Sequence, residues 1–124
     1  MQVELDIFSG RPNPYWDLTP QEAAEFLNLF RTLPERKVEG HIREGLGYRG
    51  FLVREKGGSI EGYDEILVSG EVVVARWDKK LRQFTDKDRM LERWLLRTGK
   101  SRLDEDLYQH IFSEIENMNQ SGAE

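Results

Sequence analysis

YDEILVSGEVVVARW, residues 63–77, holds two apolar runs separated by little more than Ser69-Gly70. So short a connection cannot carry a crossover, so the two runs are expected to pair as antiparallel neighbours about a tight turn. The run 72–75, Val-Val-Val-Ala, shows almost no alternation. That pattern predicts a central strand covered on both faces rather than one with a wet side. Just upstream, YRGFLVRE at 48–55 reads as a third strand, joined through Gly57-Gly58. The three make a meander.

Farther toward the N-terminus, Val3, Leu5 and Ile7 alternate with Gln2, Glu4 and Asp6, the period of a half-buried strand. Its neighbour does not follow from pattern. Thr19, Pro20 and Glu22 form a helix start with N-cap, N1 proline and capping box. Ala23, Phe26, Leu27, Phe30 and Leu33 follow at helical spacing until Pro34 ends the run. PERKVEGHIREGLG, residues 34–47, is polar and glycine-broken, and reads as a loop.

Beyond the meander, RWDKKLRQ at 76–83 is the one basic cluster and reads as a solvated connection. A helix is expected over DKDRMLERWLLRTG, capped by Thr85, with Leu91, Trp94 and Leu95 inward and Gly99 closing it in left-handed geometry. A last helix is expected to begin near Asp104, with Leu107, Ile111, Ile115 and Met118 as its apolar stripe. The predicted order is β-α-β-β-β-α-α. This is an α+β domain over 1–118, with a small, mostly antiparallel sheet, helices packed against it and a disordered tail at 119–124.

Composition narrows the function classes. The chain has 124 residues, 38% hydrophobic and 33% charged, and a net charge of −5. That balance suits one globular domain and argues against a nucleic-acid face or an anionic membrane surface. No cysteine is present, so disulfides, thiolate catalysis and cysteine-bound zinc are ruled out. MQVELDIF shows no signal-peptide pattern, and no apolar run reaches membrane-spanning length, so a cytoplasmic location is expected.

His41 and His110 lack metal-ligand spacing, and the serines lack a nucleophile elbow. Asp86, Asp88, Glu105 and Asp106 stand at helix starts, where capping and the helix dipole explain them. No cofactor or metal is expected. Trp77 and Trp94 read as core, while Trp16 reads as partly exposed.

Two stretches stand out. In SGRPNPYW, residues 9–16, Pro12 and Pro14 stiffen the loop around Arg11 and Asn13, and Tyr15 and Trp16 open an extended segment. A preorganised arginine beside aromatics suits a partner carboxylate or phosphate. The opposing reading is an architectural corner. In GLGYRG, residues 45–50, the glycines permit an anion-binding nest or simply a loop-to-strand transition. Tyr48 and Arg49 would there join Arg11 at one mouth. The candidate partner-binding set is therefore Arg11, Asn13, Tyr15, Trp16, Tyr48 and Arg49.

LDIFSGRPNPYW, GLGYRG and LERWLL followed by TG together resemble a family of small uncharacterised proteins found chiefly in cyanobacteria. A related lead, with no residue-by-residue match, is a carboxysome-assembly chaperone that binds the tail of a shell protein. The resemblance implies a soluble cytoplasmic protein of unknown or scaffolding function. With no nucleophile, metal set or cofactor fingerprint, the residues suggest a non-enzymatic module binding a protein or peptide segment, as an adaptor or assembly chaperone. The alternative is a small enzyme that holds an anionic substrate in a cleft of carboxylates and arginines.

Overall fold

The computed structural model describes residues 1–37 and 48–121, with side chains up to 116. The strands are β1 (Gln2–Asp6), β2 (Tyr15–Asp17), β3 (Glu35–Arg36), β4 (Gly50–Arg54), β5 (Glu65–Ser69), β6 (Val72–Trp77) and β7 (Lys80–Thr85). The helices are α1 (Pro20–Arg31), α2 (Met90–Thr98) and α3 (Glu105–Ser121). The strands form one seven-stranded sheet in the order β2-β1-β4-β5-β6-β7-β3. Every pairing among the described residues is antiparallel. The expected α+β class holds.

The expected meander holds too, and extends by one strand. Ser69 pairs with Val72 across a turn at Gly70, whose φ is +66°. β1 finds its place between β2 and β4, with Val3 opposite both Trp16 and Val53. Val73 and Ala75 enter the main core, while Val74 and its register partner Leu67 are buried on the other face. That is why β6 does not alternate.

Two strand expectations need correction. The basic stretch read as a connection is the β6–β7 hairpin, with Trp77 opposite Lys80 and Asp78 at φ +53°. Leu81 and Phe84 are spaced by three, so β7 lacks the period that marks a strand. Leu81 is exposed on the outer face while Phe84 packs inward. Glu35–Arg36 adds a two-residue edge strand where a loop was expected, and Tyr15–Asp17 forms the opposite edge. Pairing to a neighbour, rather than local pattern, creates both edges.

All three helices cover the face carrying Val3, Phe51, Ile66 and Val73, with α2 lying between α1 and α3. The capping box of α1 forms as read: Thr19 Oγ1 accepts from Glu22 N, and Glu22 Oε1 accepts from Thr19 N. Phe26 and Phe30 bury its inner face. α2 starts differently. Thr85 ends β7, a short 3-10 turn spans Lys87–Arg89, and the Asp86 carboxylate accepts from Leu91 N and Glu92 N.

Gly99 has φ −85°, not a left-handed value. It is glycine for space: a Cβ there would lie 2.9 Å from Trp16 Cη2 and 3.0 Å from Leu103 Cδ1. α3 begins beside Asp104 as expected, and the Asp104 carboxylate caps it by accepting from Leu107 N. α3 runs on to Ser121, into the stretch read as a tail, and residues 122–124 lie outside the described part.

Candidate functional site

Asn13 is the keystone of the proline-rich loop. Its Oδ1 accepts from Ile7 N (3.1 Å) and Phe8 N (2.7 Å), and its Nδ2 donates to Glu4 Oε2 (2.9 Å) and Asp6 Oδ1 (3.3 Å). One amide thereby satisfies the backbone where β1 ends and anchors two acidic side chains of its outer face. Arg49 closes the same corner, donating to Asp6 Oδ1 at 2.8 Å and to the Phe8 carbonyl at 3.0 Å. Arg11 lies over the Phe8 ring, 3.8 Å from its centroid. The first loop and the described end of the second stretch, Tyr48–Gly50, therefore adjoin, with Arg11 and Arg49 both touching Phe8.

The six residues are nonetheless divided. Trp16, expected to be partly exposed, is buried: it packs edge-to-face on Phe51 and donates from Nε1 to Thr98 Oγ1 at 2.9 Å. Tyr48 is buried as well, against Phe51 and Glu92. Neither side chain lies where a partner can reach it. Asn13 and Arg49 are engaged within the corner, which leaves Arg11 and Tyr15 as the exposed members. Tyr48 and Arg49 part company because successive residues entering a strand point to opposite faces. Gly45–Gly47 and His41, which carried the nest and histidine readings, lie outside the described residues.

Behind Tyr48 sits a polar cluster that the sequence reading missed. Glu92 has no exposed surface; its Oε2 accepts from the Tyr48 hydroxyl, and Arg89 Nε lies 3.5 Å from Oε1. Burial pushes the Glu92 carboxyl above the usual range, against the lowering effects of the Tyr48 hydrogen bond, the Arg89 charge and the Gly70 N–H. Asp86, also without exposed surface, is raised by burial too, and its helix-capping bonds oppose that rise. Arg89 reaches across to the Ile115 carbonyl on α3 (Nη1–O 3.3 Å). Asp88 and Arg89 both hold positive φ, +58° and +57°, which non-glycine residues adopt only at a cost.

One sequence signal was available: Glu92 stands three and four residues before Leu95 and Leu96, on the inward face of α2. Among the described residues no cleft joins Arg11, Arg49 and an acid raised by burial, because Asp86 and Glu92 have no exposed surface.

An open concavity lies elsewhere among the described residues. Between α2 and α3 runs a groove of about 690 Å³ with Leu96, Tyr108 and Ile115 in its floor. Met90 and Phe112 line it while staying 47% and 45% exposed, and Phe112 stacks on Tyr108 with centroids 6.4 Å apart. Arg93 bridges the two helices to Glu116 at 3.3 Å. Lys87 and Arg97 stand at the rim and make no ion pair among the described residues. His110 faces outward on α3, 3.9 Å from Glu114. Among the described residues no three His, Asp or Glu side chains gather as a metal site, and no helix is long and apolar enough to cross a membrane.

No family model matches the chain, and no curated protein or solved structure matches it either.

Proposed function

We propose that this protein is a non-enzymatic binding module whose α2–α3 groove accepts an amphipathic, acidic helical segment of a protein partner. The observation that carries the reading is the pairing of two half-exposed apolar side chains, Met90 and Phe112, with an apolar floor between two helices. A groove of this build takes a helix by burying its apolar stripe. Lys87 and Arg97 supply the preference for acidic flanks. The site thus moves from the proline-rich corner to the helical layer.

Strand addition is less favoured than a helix partner. The sheet ends in strands of three and two residues, so an incoming strand gains little ladder at either edge.

The test is a titration of ¹⁵N-labelled protein with a synthetic Leu/Glu heptad peptide, read as amide shifts. Saturable shifts along α2 and α3, weakened by Arg97→Glu and Met90→Ser, are expected. Shifts confined to Phe8, Arg11 and Tyr15 would return the site to the corner. An absence of saturable shifts at millimolar peptide would end the reading.

A further inference from the structure

The geometry points to α3 of a second copy of this chain as an occupant of the groove, giving a two-fold dimer in which each Phe112 seats in the other copy's groove. This inference rests on the groove reading above and names its partner. The groove fits an acidic helix that presents an apolar knob; α3 buries its own stripe at Ile111 and Ile115 but leaves Phe112 45% exposed on its outer side. From Asp104 to Ser121 the chain carries Asp104, Glu105, Asp106, Glu114 and Glu116 but no lysine or arginine. Of the charged residues that line the groove, Arg93 is paired with Glu116 and Asp88 stands beside Lys87. Lys87 on the 3-10 turn and Arg97 on α2 make no ion pair among the described residues and offer their charge to an acidic helix.

Charge direction selects an antiparallel crossing. The Arg89–Ile115 bond sets the turn bearing Lys87 beside the later part of α3. A second α3 running the other way over Phe112 brings its acidic start toward that end. Glu105 lies two helical turns before Phe112, roughly 10 Å along the axis at 1.5 Å per residue. Its carboxylate and that of Asp106 then approach the partner copy's Lys87. In the monomer Glu105 and Asp106 make no ion pair among the described residues.

The interface is isologous: the same patch supplies the apolar knob and the groove that receives it. Such a contact closes on itself as a dimer instead of growing into a fibre. Phe112 lies at its centre, the place where aromatic anchors contribute most.

Sedimentation equilibrium over a broad concentration range tests the inference, with circular dichroism confirming the fold of each variant. The wild-type chain is expected to pass from monomer to dimer. Phe112→Asp should weaken the dimer by about 30-fold or more, as loss of a central aromatic anchor does. Lys87→Glu and Glu105→Lys should each weaken it alone, while their equimolar mixture should recover a heterodimer. That recovery distinguishes a specific pairing from general stickiness.

A wild-type chain that stays monomeric at millimolar concentration overturns the inference. If the heptad peptide still shifts the groove amides in that case, the binding-module reading survives. A dimer indifferent to both Phe112→Asp and the charge swap also overturns it, since the contact then lies elsewhere.

Discussion

The Tyr48 hydroxyl donates to Glu92 Oε2 inside the core, tying the entry of β4 to the first turn of α2. Loss of the hydroxyl leaves a fully buried carboxylate short of a donor. Tyr48→Phe should therefore destabilise the protein by about 1–3 kcal/mol, the cost of an unsatisfied buried polar group. A urea midpoint unchanged from wild type would show that the bond contributes nothing net.

The same carboxyl sets a pH dependence. Glu92 is raised above its ordinary 4.5 by burial, so just above 4.5 the folded state holds a proton that the unfolded chain has released. Stability from this group is fully present below 4.5 and is lost as pH rises through the folded value. Asp86 acts in the same direction, above its ordinary 3.8. Glu92→Gln removes the Glu92 contribution alone and keeps an amide oxygen for Tyr48. The stability of wild type relative to Glu92→Gln should be greatest in acid and should decline as pH rises. Chemical denaturation of both proteins at several pH values checks this, and a constant difference would refute it.

At the proline-rich corner, asparagine rather than arginine should govern stability. Asn13→Ala strands the Ile7 and Phe8 N–H groups and removes one donor each from Glu4 and Asp6, which keep Arg54 and Arg49. The expected loss is about 1–3 kcal/mol. Arg11→Ala removes only an exposed guanidinium over the Phe8 ring, worth about 0.5–1 kcal/mol. Thermal melts of the two variants side by side should rank them in that order, and the reverse order would make Arg11 the structural residue.

Gly99→Ala should destabilise although its backbone is ordinary. The new methyl meets Trp16 and Leu103 at 3.0 Å or less, and overpacking of this kind costs about 1–3 kcal/mol. Trp16 fluorescence would respond as the ring is displaced. A variant as stable as wild type would mean that the ring yields freely.

The α+β class, the meander and the helix starts at Thr19 and Asp104 were legible because each rests on local chemistry. Alternation, a tight turn and a side-chain oxygen beside orphan N–H groups all act within a few residues. The Asn13 corner was half legible. The residue type announced local backbone bonding, but Glu4 and Asp6 as its partners depend on β1 and the loop folding back together.

β7 was hidden because its identity comes from pairing with β6, and pairing is a property of two segments. Tyr48, Arg89 and Glu92 were hidden for the same reason: a carboxylate on an apolar helix face is tolerable only once a distant hydroxyl and guanidinium arrive beside it. The groove is the furthest removed from the chain's local grammar. Helical spacing sets Phe112 and Met90 off the inward stripes of their helices, but it does not show that they meet across one groove. Whether such a side chain is enclosed or left half in water depends on how two helices cross, which long-range packing settles.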